Sequence, residues 1–373
     1  MTTTEYNGKL YDHRPGESVL DALLRGGANV TFSCRRGSCH ACILRATDGD
    51  PGAGAHRGLR PQLVRSGHFK PCVAHPTEDL VVTPPDLSEM FVPARIAVRE
   101  RLSPTVTRLL LEPEIDLSWT PGQFINLRRA DGLTRSYSLA SIAAVDYFLE
   151  LHVKRVEGGA MSTWLHDDAL DPVELQGPFG VCTYRDHRLD QPLLLLGTGT
   201  GAAPLIGIAR DALRHGHVGP IVLYHGVASR DELYLDRPLR DLAAAHPNFR
   251  YVPCVSREEP PEGGFRGHVT ARAFADHPDA AGCAVFLCGA PEMVFQARCD
   301  ALRAGVARAD LYADAFEPST PYTPDEKAKR NAIAPDLELW EALRQGDTLR
   351  LILEDFYGLA YKDPGADPPP PYA

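Results

Sequence analysis

Four of the nine cysteines stand close enough in sequence to share one task. Cys34, Cys39 and Cys42 lie in SCRRGSCHAC, spaced C-x4-C-x2-C, and Cys72 follows in KPCVA after 29 intervening residues. Four thiolates are soft donors suited to a tetrahedral zinc ion or to an iron–sulfur cluster. Zinc sites tend to use two paired knuckles. Here three donors share one loop and the fourth is remote, which is 2Fe–2S spacing. A cluster also needs backbone N–H groups turned towards its sulfurs, and a tight loop containing Gly37 supplies them. Zinc and unliganded thiols are the alternatives. Cys182, Cys254, Cys283, Cys288 and Cys299 are scattered, mostly inside apolar runs.

Two further groups point to nucleotide chemistry. In RSYSLAS (135–141) and HVKRVEGGAMSTWL (152–165), Arg135 can neutralise a phosphate, Tyr137 can stack on a ring and Ser138 can donate to a ring nitrogen. Gly159, Ala160, Met161 and Ser162 open a helix whose free N–H groups suit a pyrophosphate. Each string also has a plain structural reading, as a cross-strand pair or as a helix cap. The run LLLLGTGTGAAPLIGIAR (193–210) is a buried strand, a glycine turn and a helix. Gly197, Gly199 and Gly201, with Thr198 and Thr200 between them, let the backbone approach a second pyrophosphate. FLCGAPEMV (286–294) puts Cys288 and Gly289 at the end of a later strand, where open α/β sheets bind ligands.

The elements that must hold these groups follow from hydrophobic patterning. Residues 1–90 carry the cysteine cluster and end in Pro84-Pro85. Residues 91–187 alternate short β-type runs (ARIAVRERL, VTRLLLE, FINLRR, YFLELHVKRV) with turns, as in a small antiparallel barrel or sandwich. Residues 188–317 alternate the strands LLLLG, IVLYHG, YVPCVS and AVFLCG with helical stretches at 202–214 and 291–304, the pattern of a parallel α/β sheet. Residues 318–373 form a tail: a linker, an amphipathic helical stretch and a proline-rich end.

With 373 residues, 44% hydrophobic and 24% charged, the chain has material for two or three folded domains. A net charge of −10 with no long basic run argues against a nucleic-acid partner. No span reaches the roughly 20 apolar residues of a membrane helix. The opening MTTTEYNGKLYDH lacks the pattern of a secretory signal, so the cytoplasm is the expected compartment and no membrane partner is expected.

Residues 1–90 resemble a plant-type ferredoxin, an α+β, β-grasp-like domain. PGESVLDALLRGGANVTFSCRRGSC follows that family's order of turn, helix and cluster loop, with His40 standing where the family usually has glycine. The succession GQFINL, RSYS, HVK, GGAMS and GPFG resembles the ferredoxin–NADP reductase superfamily. Together the motifs over residues 8–317 resemble the reductase components of bacterial oxygenases. That resemblance implies a 2Fe–2S cluster on Cys34, Cys39, Cys42 and Cys72. It also implies FAD held by Arg135, Ser136, Tyr137, Ser138, His152, Lys154 and the 159–162 helix start, with Phe316 over the flavin. A nicotinamide follows on the 197–201 turn, beside Cys288 and Gly289. Ser138, Cys288 and Asp314 take the catalytic places, Asp314 being one methylene shorter than the family's usual glutamate. Electrons then pass from NADH through FAD and the cluster to a one-electron acceptor such as an oxygenase component.

Coenzyme choice rests on HGVASRDELY, where Asp231 and Glu232 repel a 2′-phosphate and Arg230 attracts one. NADH is expected, with NADPH the alternative. The Ser256-Arg257 pair resembles the phosphate-binding pair of plant NADPH enzymes, without the lysine and tyrosine that usually follow. Two other functions fit parts of the sequence: a metal or redox sensor that does not turn over, and an oxidoreductase spending its electrons on oxygen or a haem partner. The second draws on a faint likeness of 338–364 to the first helices of a truncated haemoglobin. Arg35 and Arg36, beside the cluster loop, are candidates for docking an acidic acceptor.

Overall fold

The computed structural model describes residues 2–316, apart from 33, 36, 38, 60, 86–89 and 168–171. Three sheets divide them. The expected tail at 318–373 lies outside the described residues, as does Arg36.

The first sheet orders its strands β2-β1-β5-β3-β4. These are β1 (Thr3–Tyr6), β2 (Lys9–Asp12), β3 (Leu44–Asp48), β4 (His68–Phe69) and β5 (Leu80–Thr83). Helix α1 (Val19–Arg25) lies between β2 and β3 in sequence, and α2 (Pro61–Arg65) precedes β4. Ser18 caps α1, its hydroxyl accepting the Asp21 N–H at 3.2 Å. The helix then buries Val19, Leu20, Ala22 and Leu23. This leaves residues 26–43 as the connection that carries three of the four clustered cysteines.

The second sheet is antiparallel, ordered β10-β7-β6-β11-β8-β9. It contains β6 (Val92–Arg101), β7 (Val106–Pro113), β8 (Phe124–Arg128), β9 (Thr134–Ser138), β10 (Leu149–Lys154) and β11 (Val173–Phe179), with helix α3 (Ala160–Asp167) before β11. Beyond β9 the chain returns to β10 through an isolated antiparallel bridge between Leu139 and Leu151, so the two ends of the sheet meet. Leu109, Leu111, Ile125, Leu127, Leu149, Leu151 and Val153 face inwards, the period-2 burial expected of strands wrapped around one core.

The third sheet is wholly parallel, ordered β15-β14-β13-β12-β16-β17. Its parts in chain order are β12 (Leu193–Thr198), α4 (Ala202–Arg214), β13 (Ile221–Val227), α5 (Asp236–Ala245), β14 (Phe249–Val255), β15 (Phe265–Arg266), α6 (Val269–Asp276), β16 (Ala284–Gly289), α7 (Pro291–Arg303) and β17 (Leu311–Ala315). The chain runs outward from β12 to β15, then returns to the other side of β12 as β16. That reversal makes a crevice at the carboxyl ends of β12 and β16, the usual ligand position in open α/β sheets. Helix α4 docks on the second unit through Gly207, where an added Cβ would sit 2.5 Å from the Ala140 carbonyl. Arg210 adds an ion pair to Asp146 at 3.1 Å. Among the described residues no helix is long and apolar enough to cross a membrane.

Candidate functional site

The cysteine loop is built from left-handed backbone. Arg35, Gly37 and His40 have φ of +56°, +75° and +57°. Such a run turns successive N–H groups inwards, and here the Cys34 N–H points at Cys39 Sγ and the Cys39 N–H at Cys34 Sγ, both at 3.4 Å. Glycine suits the conformation at position 40, and the histidine that replaces it is held by its ring, 4.8 Å from that of Phe179 on β11. Lys70 is buried and its ammonium donates to the Gly37 carbonyl at 2.7 Å and to the Arg57 carbonyl. Burial holds the Lys70 pKa below its ordinary value.

The four thiols form two close pairs, Cys34 with Cys39 and Cys42 with Cys72. Among the described residues no three His, Cys, Asp or Glu side chains close on one ion position. Two pairs of soft donors suit two iron atoms holding two thiolates each better than one zinc holding four. Cys39, Cys42 and Cys72 are buried, whereas Cys34 is partly exposed. Arg35, one of the two arginines considered for docking, stacks over Phe32 and lies 3.7 Å from Asp21.

On β9, alternation places Arg135 and Tyr137 on one face and Ser136 and Ser138 on the other. Arg135 is partly buried and makes no ion pair among the described residues; its guanidinium donates only to the Thr134 carbonyl, and burial lowers its pKa. A partly desolvated cation without a carboxylate fits an anionic group such as a pyrophosphate. Tyr137 packs against the core of the sheet, and burial raises its hydroxyl pKa. At the start of α3, the Ser162 hydroxyl donates to the Gly159 carbonyl and accepts the Val156 N–H. Ala160 is exposed and Met161 is in the core, so the backbone N–H groups of this turn, rather than the methionine side chain, are what it offers a phosphate.

His152 and Lys154, expected near the flavin, both reach across a domain boundary. The His152 ring bonds Glu150 at 2.8 Å and the Tyr234 hydroxyl at 3.1 Å. Lys154 lies 3.7 Å from Glu232.

Ser138, Cys288 and Asp314 come together from two domains. The Ser138 hydroxyl donates to Asp314 Oδ2 at 2.8 Å, so the shorter acid still reaches. Asp314 is the register partner of Cys288 on the neighbouring strand. Cys288 is wholly buried with its sulfur 3.9 Å from that of Cys182. The neighbouring Cys182 sulfur, burial and the Asp314 charge push the Cys288 thiol well above its ordinary pKa. It is therefore a neutral, compact neighbour and not a thiolate nucleophile. Phe316 follows directly, its N–H donating to the Gly289 carbonyl at 2.8 Å.

The two glycine turns of the crevice touch. A Cβ on Gly201 would sit 2.1 Å from the Cys288 carbonyl, and one on Gly289 would sit 2.4 Å from Thr198 Oγ1. Thr198 Oγ1 in turn accepts the Ala290 N–H at 2.9 Å. Gly197 pairs with Cys288 across β12 and β16, and Gly199 adopts φ +54°. Thr200 lies within the same turn, between Gly199 and Gly201.

Under that turn lies His225 of β13, fully buried, its Nε2 donating to the Gly199 carbonyl at 2.9 Å and its Nδ1 without a partner. Burial lowers its pKa from 6.5 to about 4, and attraction to Asp236 only partly opposes this. Between those values the unfolded chain binds a proton that the folded chain refuses. Stability present above pH 6.5 is therefore lost as pH falls, by about 2 kcal/mol at pH 5 from this residue. His13, His166, His217 and His277 are shifted in the same direction by burial. Thermal unfolding of His225→Gln, which keeps an N–H for Gly199, should show a smaller drop in Tm between pH 7 and 5 than the parent protein. Parallel curves would assign the acid sensitivity to other groups.

Sequence reasoning missed three contributors. Cys182, one of the scattered cysteines to which the sequence assigns no role, lies against Cys288. Tyr234 links to His152 across the boundary. Asn126, wholly buried on β8, bonds the carbonyl of Cys39 in the cysteine loop at 2.6 Å. Only Asn126 left a signal in the sequence, as a polar residue inside the apolar run FINL.

Comparison with known proteins gives three family matches in chain order: a 2Fe-2S iron-sulfur cluster binding domain over residues 5–77, an oxidoreductase FAD-binding domain over 93–184 and an oxidoreductase NAD-binding domain over 195–298. The reductase subunit of an aromatic O-demethylase from Amycolatopsis sp. is 37% identical over 302 residues, covering 77% of this chain and 90% of the relative. The ferredoxin–NAD(P)(+) reductase component of the naphthalene 1,2-dioxygenase system of Pseudomonas putida is 31% identical, covering 84% and 97%. The crystal structure of an Amycolatopsis cytochrome P450 reductase superposes with a TM-score of 0.62 at 32% identity, over 86% of this chain and all of that one. An unbroken ferredoxin–FAD–NAD order and this depth of identity have one meaning: the chain belongs to the family of NAD(P)H-dependent flavin and iron–sulfur reductases that form the reductase components of oxygenase systems.

Proposed function

We propose that this chain is an NADH-dependent reductase that delivers electrons to an oxygenase component acting on an aromatic substrate, in the cytoplasm. The observation that carries the reading is the meeting of Ser138, Asp314 and Cys288 at the mouth of the β12/β16 crevice. The domains are taken as 1–90, 91–187 and 188–317: a β-grasp-like ferredoxin, an antiparallel barrel closed at Leu139–Leu151, and an α/β nucleotide-binding domain.

When bound, FAD accepts hydride from the nicotinamide and the 2Fe–2S cluster carries the electrons onward singly. The chain's own groups set the geometry. Arg135, Lys154 and the N–H groups of 159–162 would hold the FAD pyrophosphate, with the Ser136 backbone adjoining Arg135 on β9 and its hydroxyl on the opposite face, bonded to Asn126. Tyr137 and Phe316 bound the ring. Ser138 keeps its proton directed along the bond to Asp314, and the neutral Cys288 thiol, buried in the wall of the crevice, would back the nicotinamide site without competing as a nucleophile. The 197–201 turn receives the second pyrophosphate. Cys34, Cys39, Cys42 and Cys72 ligate the cluster.

NADH is favoured over NADPH by the charge where a 2′-phosphate would lie. Asp231 and Glu232 directly follow Arg230, and the Arg230 backbone N–H donates to the Glu258 carboxylate at 3.1 Å. This short turn therefore gathers three carboxylates against one arginine. An aromatic substrate for the partner follows from the likeness to the reductases of an aromatic O-demethylase and of a naphthalene 1,2-dioxygenase system.

An anaerobic absorption titration with NADH, and separately with NADPH, tests the reading. Uptake of about three electrons per chain, two on FAD and one on the cluster, with NADH the better donor, is expected. Flavin bleaching without a cluster signal would return the zinc reading. Absence of flavin after reconstitution would overturn the function.

A further inference from the structure

Asn126 occupies an unusual position. It lies on β8 with Ser136 of β9 directly opposite on one side and Gln176 of β11 directly opposite on the other. The three side chains make a polar row across three strands, and Asn126 is wholly buried. Its Oδ1 accepts the Ser136 hydroxyl at 2.8 Å, and its Nδ2 donates to Gln176 Oε1 at 2.9 Å and to the Cys39 carbonyl at 2.6 Å. Both amide hydrogens are used, so the orientation of the group is fully specified.

The row shares a face with Ser138, two residues along β9 from Ser136, and Phe124 is the register partner of Ser138. Phe124 packs on Phe179 with ring centroids 5.8 Å apart, and Phe179 packs on His40 at 4.8 Å. The peptide that joins Cys39 to His40 is therefore gripped twice by the second domain, once by an amide and once by a ring. Both grips fall on the sheet face that carries the flavin-facing serine.

We propose that Asn126 is a positioning residue for electron transfer: it fixes the cluster loop against the flavin strand and so sets the flavin-to-cluster distance. This rests on the reading of Cys34, Cys39, Cys42 and Cys72 as cluster ligands and of β9 as the flavin strand. Loss of the bond leaves the buried Cys39 carbonyl without its Asn126 partner, and the loop then samples positions farther from β9. The NADH-to-flavin step centres on Ser138 and the β12/β16 crevice, two residues along β9 from Ser136, and uses neither the Asn126 amide nor the Cys39 carbonyl.

The test uses the full holoprotein and the variants Asn126→Leu and Asn126→Ser. The serine variant keeps a small polar group if leucine is not tolerated. Stopped-flow mixing with NADH separates flavin reduction from cluster reduction. Amide hydrogen exchange over residues 34–42 reports loop docking, and electron paramagnetic resonance counts the reduced cluster. The expected result is flavin reduction within about twofold of the parent, cluster reduction slowed about tenfold or more, and exchange at 34–42 faster by about tenfold. Cluster content should be unchanged. Unchanged cluster reduction and exchange in a protein with a full cluster signal would overturn the positioning role alone. Equal slowing of both phases would make Asn126 merely structural and would also overturn it. A parent protein with no cluster signal would overturn the ligand reading, and this inference with it.

Discussion

Cys72→Ser abolishes electron delivery to a one-electron protein acceptor while NADH still reduces the flavin. Cys72 sits on the short turn Pro71–Val73, buried and paired with Cys42, and it is the only one of the four thiols supplied from outside the 34–42 loop. A serine oxygen is a hard, weakly acidic donor and a poor substitute for thiolate on iron. With one iron half-ligated, the cluster is lost on purification and acceptor reduction falls by about 10²-fold or more. The flavin step survives because the second domain has its own core around Leu109, Ile125, Leu127 and Leu151. Visible absorption, iron content and cytochrome c reduction check this on one sample. A variant that keeps its cluster and its acceptor rate would remove Cys72 from the ligand set. Because ligand binding is coupled to folding, the first domain alone should also lose thermal stability.

The second large effect is on the hydride step. In Ser138→Ala the hydroxyl that donates to Asp314 is gone, and the carboxylate loses this hydrogen bond from the second domain. Removing one preorganised donor from a reacting centre slows catalysis by about 10²-fold. Nicotinamide affinity should hardly change, since the 197–201 turn and the Gly201–Cys288 contact that shape the crevice are untouched. The split between kcat and KM is the readout: a fall in kcat with KM steady is expected. A raised KM at constant kcat would make Ser138 a binding group only. Ser138→Ala combined with Asp314→Asn should cost little more than either alone, because the two act through one hydrogen bond.

Much of this molecule is legible in its sequence for simple physical reasons. The strands LLLLG, IVLYHG and AVFLCG are continuous apolar runs because both faces of a parallel sheet are covered, and they appear as β12, β13 and β16. Cysteine spacing and glycine turns are local, so a one-dimensional reading finds them. What it misses is joined over long separations. Asn126 to Cys39 spans 87 positions, Cys182 to Cys288 spans 106, and Ser138 to Asp314 spans 176. Only the last pair was expected to act together, through likeness to a family and not through any pattern in the residues. The histidine at position 40 was visible as a departure; its left-handed backbone and its packing on Phe179 were not.

The row Ser136–Asn126–Gln176 depends on the pleat of three strands being in step. A slip of one residue by β8 would turn Asn126 inward among leucines and present Ile125 and Leu127 to the cysteine loop. The same slip would break the pairing of Phe124 with Ser138. One strand thus carries the contacts of both neighbours, and a single slip of β8 would undo the cluster-side row and the Ser138 pairing together.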